Sequence, residues 1–307
     1  MKKIFKLFTI MFIFTACNIF SFGKKQLEEE PVPEEPVIVK PSRAELVMKA
    51  LYDAYREQID KVEFQNDDWT LLMHDKWYYY AGGRILPENQ LENSAMYRPY
   101  QFYQYPAELP LLTERTPQDI ERIRSWTSQR SQNTLKRSGF FIDELMSAAT
   151  RAETERQLVS IKFLGKTIRV HKVIKQKLAL IEDDIKNLAK TDDTVQTWIN
   201  TLGSLEGYGW RNIANTQSRS YHSYGLAVDL LPKSLGGKQT YWLWTSNYRS
   251  DWWNVSYNER YHPPDAVIKI FESYGFVWGG KWVLFDTMHF EYRPEVFILN
   301  GLPLKEK

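Results

Sequence analysis

Residues 24–41 are dominated by Glu and Pro, centred on the run Glu28-Glu-Glu-Pro-Val-Pro-Glu-Glu-Pro36. Like charges repel along it, proline removes backbone donors, and too little apolar surface is present to offset the entropy of ordering. Such a stretch is an extended spacer that no folded core can include. It divides the chain into an apolar leader at 1–17, a linker at 18–42 and a body beginning at 43. The body builds its core without a covalent staple, because the chain has one cysteine and forms no intrachain disulfide. With 43% hydrophobic and 25% charged residues it has the composition of an ordinary globular protein. Its length suffices for one large domain or two modest ones. Forty Lys and Arg stand against 38 Asp and Glu, a net charge of +2, which argues against an electrostatic nucleic-acid binder.

The leader starts Met1-Lys2-Lys3 and runs through apolar residues 7–16 to Cys17. It is too short to span a hydrocarbon core of ~30 Å as a helix and has the flanks of an export signal. Phe14-Thr-Ala-Cys17 resembles the bacterial lipobox, in which the cysteine is lipidated and becomes the mature N-terminus. That resemblance implies an exported protein, periplasmic or at the cell surface, tethered to a membrane through Cys17. The linker would then hold the folded body away from the anchor. An ordinary signal cleaved near Ser21-Phe-Gly23 is the other possibility, and it discards Cys17.

Within the body, Ser42-Arg-Ala-Glu45 reads as a helix N-terminus, and Val47, Leu51, Tyr55, Ile59 and Val62 follow at helical spacing. Thr116-Pro117 reads as an N-cap with Pro at the first helical position, and a further helix is expected from Ile142 to about Leu158. Residues 66–112 are aromatic and Pro-rich without a clean period. Residues 43–158 are therefore expected to be a mainly helical, aromatic-rich accessory region. From Ser160 the texture changes. Residues 160–170 read as two strands around Leu164-Gly165-Lys166, residues 174–188 carry one apolar helical face, and short strands with Gly-containing turns follow Gly203. The fold class expected is α+β, with a small antiparallel sheet in a second domain spanning 159–300.

Only five histidines are present, and two sit in dense acidic contexts: Ser220-Tyr-His222-Ser-Tyr-Gly225-Leu-Ala-Val-Asp229 and Phe285-Asp286-Thr-Met-His289-Phe-Glu-Tyr292. Fully extended, the chain from His222 to Asp229 would span roughly 23 Å. To share an ion, both side chains must lie ~2 Å from it. The chain must therefore reverse between them, and Gly225 tolerates the turn. Residues 226–231 then form a strand presenting Asp229. His289 opens another, with Glu291 on its own face. Two imidazoles and one carboxylate leave a fourth position for water, the pattern of a catalytic rather than a structural zinc. Asp286, three residues before His289, is near enough to accept that water's proton if a turn joins them. By spacing alone, a hydrogen-bonded His–Asp pair remains the rival reading. Ser220 and Ser223 lack the turn context of a nucleophile, and a bond to backbone is the expectation for each.

The order Ser220-x-His222-x-x-Gly225-x-Ala227-x-Asp229 and then Asp286-x-x-His289 resembles the zinc peptidases that include D-alanyl-D-alanine carboxypeptidases and L-alanyl-D-glutamate endopeptidases, of the hedgehog/D,D-peptidase fold. Residues 163–171, Gly207-Tyr-Gly-Trp-Arg211 and 274–280 are similar to further family segments in the family's order. The resemblance spans roughly 160–294. It implies a zinc cleft with His222, Asp229 and His289 as ligands and Asp286 as general base, where the endopeptidase-like branch often has Asp and the carboxypeptidase branch Glu. It implies that Arg211 faces substrate, against a rival reading as a structural salt bridge. Ser220 would contact substrate or support a ligand, and His171 would be structural. The implied substrate is the stem peptide of peptidoglycan, cut by an endopeptidase or trimmed by a D,D- or L,D-carboxypeptidase, unless the fold serves only to bind the cell wall. Residues 242–253, rich in Trp, are expected to form either a cleft wall or part of the core.

Overall fold

The computed structural model describes residues 40–109, 115–130, 132 and 135–305. The expected export signal, Cys17 and nearly all of the linker lie outside the described residues. Among those described, no helix is long and apolar enough to cross a membrane.

Helix α1 (Arg43–Ala54) starts where expected, with Ser42 Oγ accepting from the Glu45 N–H at 3.1 Å. Its buried side, Val47, Met48 and Leu51, enters the core. The next segment corrects the expectation of a mainly helical region. Strands β1 (Lys61–Gln65), β2 (Asp68–Met73), β3 (Lys76–Tyr79) and β4 (Leu86–Pro87) form an antiparallel meander in chain order. Its tight turns, Asn66-Asp67 and His74-Asp75, have all four φ values positive, between 49° and 61°. That is the hairpin geometry whose twist matches the flanking strands, and Asn, Asp and His tolerate it better than most residues. A short strand β5 (Tyr97–Arg98) pairs in parallel with β6 (Lys136–Arg137). Between them lies α2 (Pro117–Ser128), which opens with the expected Thr116 cap, here reciprocated by Asp119.

The single helix expected over 142–158 is two. Helix α3 (Phe140–Leu145) stops as Ser147 turns to a φ of 49°, and Thr150 with Glu153 caps a new helix, α4 (Arg151–Gln157). The hairpin β7 (Leu158–Phe163) and β8 (Lys166–His171) turns at Leu164-Gly165, and α5 (Lys175–Leu188) buries Leu178, Ile181 and Ile185. Next come α6 (Asp193–Thr201), β9 (Leu202–Glu206), β10 (Ala227–Pro232), α7 (Trp242–Ser246), α8 (Asp265–Ser273), β11 (Phe276–Trp278), β12 (His289–Tyr292) and α9 (Pro294–Leu299). The second antiparallel sheet has the order β11-β12-β10-β9. The architecture is thus α+β, with a small antiparallel sheet as expected.

One apolar cluster runs from Met48 and Leu51 of α1 through Leu71, Phe141 and Ile168 to Phe271 and Phe290 beneath the second sheet. Residues 43–158 therefore share a core with residues 159–300. The link is also polar: Tyr55, just past α1, donates from its hydroxyl to Glu295 of α9 at 2.9 Å, both buried.

Candidate metal centre

Strand register brings the first two site residues together. Asp229 of β10 stands directly opposite His289 of β12, and opposed side chains of an antiparallel pair are close neighbours. His222 arrives from a 3-10 turn, Tyr221–Tyr224, closed by Gly225 with φ 69°. A β-carbon on Gly225 would lie 2.7 Å from the His171 backbone nitrogen, so both the turn and the close approach require glycine.

The three side chains form a nearly equilateral triangle. His222 Nε2 lies 3.1 Å from Asp229 Oδ1 and 3.1 Å from His289 Nδ1, and His289 Nδ1 lies 2.9 Å from Asp229 Oδ1. All three residues are buried. The far nitrogens fix what faces the centre. His222 Nδ1 is 2.5 Å from the Gly207 carbonyl oxygen, which can only accept, so the proton sits on Nδ1 and leaves Nε2 a lone pair. His289 Nε2 donates to the Glu291 carboxylate at 3.2 Å, leaving Nδ1 facing Asp229. Two nitrogen lone pairs and a carboxylate oxygen therefore converge, an arrangement stable only around a cation. Ligand atoms ~2.0–2.2 Å from a zinc ion have about this mutual spacing, and imidazole with carboxylate is a zinc donor set. The residues fit the ion.

Electrostatics give the same answer. Burial opposes the charged form of His289, yet Asp229 and Glu291 overcome it and push its pKa up to about 10. Burial would raise Asp229 too, but His222 and His289 hold its carboxyl well below the usual range. Without metal, a proton on His289 Nδ1 supplies the positive charge that the triangle demands.

Asp286 sits in the turn before β12, where the His289 N–H reaches its carbonyl oxygen at 3.3 Å. Its carboxylate oxygen Oδ1 is buried and has no hydrogen-bond partner among the described residues. Burial and then the charge of Asp229 push its pKa up to about 7, against the pull of His289 and Arg211. A carboxylate next to the triangle with an uncommitted oxygen is free to handle a proton. Arg211 faces the same centre. Its Nη2 is 3.9 Å from Asp229 Oδ2, its Nη1 is 3.4 Å from Ser220 Oγ, and its side chain is 50% exposed. Ser220 Oγ also caps the His222 turn by accepting the His222 N–H at 3.3 Å. Ser223 is tied to the Arg211 backbone, accepting its N–H at 2.8 Å, and so bonds backbone as expected.

The other histidines are structural. Buried His171 lies 3.0 Å from the Met146 carbonyl, His74 pairs with Glu144, and His262 packs against Trp278. The tryptophan segment supplies core. Trp242, Trp252 and Trp253 are buried with Phe285, while Trp244 is 49% and Tyr248 67% exposed. Tyr241 bridges to Asp286, and the Trp242 N–H donates to the Phe285 carbonyl at 2.9 Å, so this core braces the turn carrying Asp286.

Glu291 shares a face with His289, as its place in the strand implies, and its partners define its task. It receives His289 Nε2–H, and Arg293 stands 3.5 Å behind it. Arg293, 1% exposed, also pairs with Glu295 and donates to the Gln101 carbonyl at 2.7 Å. Orientation of a metal ligand is thus carried back to the N-terminal region. The Gly207 carbonyl has no sequence signature, because nothing in a side-chain pattern reveals a backbone acceptor.

A buried His–Asp–His triangle on a sheet, with an uncommitted carboxylate and an arginine beside it, has the parts of a metal-dependent hydrolytic site. Residues 214–292 match the family model described as D-alanyl-D-alanine carboxypeptidase, which supports a peptidase. The matched span takes in Ser220, His222, Asp229, Asp286 and His289 and leaves out Arg211. Residues 47–102 match a second model, a domain of unknown function. No curated protein and no solved structure matches the chain.

Proposed function

We propose that this chain is a zinc peptidase hydrolysing amide bonds in the stem peptides of peptidoglycan, as an L-alanyl-D-glutamate-type endopeptidase. The observation that carries this is the triangle of convergent lone pairs beside an unpaired Asp286 carboxylate, inside the span similar to D-alanyl-D-alanine carboxypeptidases. The shorter acid at 286 favours the endopeptidase over a D,D- or L,D-carboxypeptidase. His222, Asp229 and His289 would hold the ion. When bound, zinc polarises a carbonyl and lowers the pKa of water towards neutrality. Asp286 takes the proton of the attacking water and returns it to the leaving amine. Arg211 offers its guanidinium to a substrate carboxylate or to the charge growing on the scissile carbonyl. Digestion of purified peptidoglycan, with products weighed by mass spectrometry, tests the proposal. Cleavage within the stem supports it, loss of one terminal residue assigns the carboxypeptidase, and an unchanged digest leaves a cell-wall-binding protein.

Arg211→Lys should lower kcat/KM about ten- to a hundred-fold, the effect of ~1.5–3 kcal/mol from a charge-assisted bond made in the transition state. Lysine keeps the charge but loses the planar fork. A half-exposed pair at 3.9 Å contributes little to stability, so zinc content and Tm should stay near wild type. Wild-type kinetics would remove Arg211 from the site, and a large fall in Tm would return it to a structural role.

The proposal extends to location: an exported protein, periplasmic or at the cell surface, held to the membrane through Cys17. Several acyl chains would hold it firmly where one would not. Cys17→Ser should release it from membranes or block its maturation. A mature N-terminus downstream of Cys17 would overturn the lipid anchor and leave export standing.

A further inference from the structure

Behind the turn that carries His222 lies a cavity of about 320 Å³, walled on one side by residues 97–149 and on the other by residues 212–224. Its volume is at the lower end of the roughly 300–1,000 Å³ of small-molecule sites. His222 does not line it; Tyr221 and Tyr224, from the same turn, do. Its mouth has the exposed residues Lys136, Asn212 and Gln217, and its floor the buried Ser138, Tyr221 and Tyr224.

Two polar groups at this cavity are buried with no hydrogen-bond partner among the described residues, Ser138 Oγ and Arg219 Nε. Ser138 is only 2% exposed. Leaving such donors unsatisfied is costly, and native proteins rarely do so without a ligand or water to receive them. The charge balance points the same way. Asp143, the acid lining the cavity, is taken by the Arg219 guanidinium at 2.8 Å and the Tyr224 hydroxyl at 2.9 Å. Arg137 lies over the Tyr100 ring, 5.6 Å from its centroid, and its one hydrogen-bonded side-chain partner is the neutral Gln101 amide. Neither Arg137 nor Lys136 pairs with a carboxylate among the described residues. The cavity therefore presents surplus positive charge and unpaired donors between aromatic walls.

We infer that this cavity is a second binding site, separate from the metal centre, for a small carboxylate-bearing ligand. Arg137 offers the planar fork that a carboxylate accepts, Lys136 adds charge at the mouth, and Ser138 Oγ with Arg219 Nε–H receive the remaining oxygens. The inference does not depend on the peptidase reading, because none of these residues belongs to the triangle.

Titration calorimetry on the full chain tests it, with N-acetyl-glutamate as probe, its diamide as the uncharged control and inorganic phosphate as the rival anion. The carboxylate should bind, the diamide should bind at least about tenfold more weakly, and Arg137→Gln should weaken the carboxylate by a similar factor. Lys136→Gln, at an exposed position where the fold is not at risk, should weaken it less. His222→Ala should leave the affinity unchanged. No binding of the carboxylate at about 10 mM would overturn the inference. So would equal affinity in Arg137→Gln, tighter binding of phosphate, or loss of binding in His222→Ala, which would place the probe at the metal centre.

Discussion

Asp286→Asn should bind zinc as the wild type does and lose about a hundred- to ten-thousand-fold in kcat/KM, the range of a lost general base. The amide preserves shape and removes the proton acceptor. It should not disturb the ion, because Asp286 is outside the triangle and its Oδ1 contacts no donor among the described residues. The pH profile is a second readout. A base works only when ionised, so activity should rise with pH through the pKa of Asp286. Its carboxyl stands at about 7 without metal, and a bound cation favours the ionised form, which moves the acid limb below that value. Asp286→Asn should flatten the limb. A variant with wild-type turnover and an unchanged limb would move the base elsewhere. Glu291 is a poor replacement, since His289 and Arg293 already occupy its carboxylate.

The site was more legible in the sequence than the body around it, for a physical reason. Metal binding needs particular side chains, so His222 and His289, two of only five histidines, stand out with Asp229 and Asp286 nearby in sequence, and Gly225 announces the turn that His222 and Asp229 require. The meander at 61–87 needs only alternation, and its alternation is masked. On β3, Tyr78 and Tyr79 point to opposite faces and both are buried. The available clue was local: Asn66-Asp67 and His74-Asp75 are residue pairs that accept positive φ and close two-residue hairpins. The apolar cluster that crosses residues 158/159 is hidden in the sequence for a different reason. Val47 and Leu51 show their helical spacing in the sequence, but not that the same cluster includes Phe271 and Phe290. Nor does any local pattern reveal that Arg293 donates to the Gln101 carbonyl. Long-range partners of this kind tie Gln101 to Arg293, and through it to the Glu291 carboxylate behind His289.

The wild type should hold about one zinc per chain, and His222→Ala should lose it and its activity with it. The remaining pair, Asp229 and His289, would stay 2.9 Å apart and be satisfied by the proton that His289 carries without metal. That proton makes binding itself diagnostic. With His289 raised to about 10, the metal-free protein is protonated there at about pH 8, and an ion taking the lone pair must expel it. Calorimetry in two buffers of different ionisation enthalpy should report at least about one proton released per zinc at that pH, one from His289 and any further from zinc-bound water, and apparent affinity should rise with pH up to about 10. Stability follows from the same shift. A histidine raised on folding stabilises fully below its ordinary value near 6.5, and that contribution is lost as pH rises through about 10. The metal-free protein should therefore lose Tm in alkali faster than the zinc-loaded protein, in which the ion replaces the proton between His289 and Asp229. Equal zinc in His222→Ala and wild type, or binding without proton release, would sink the triangle as the metal site.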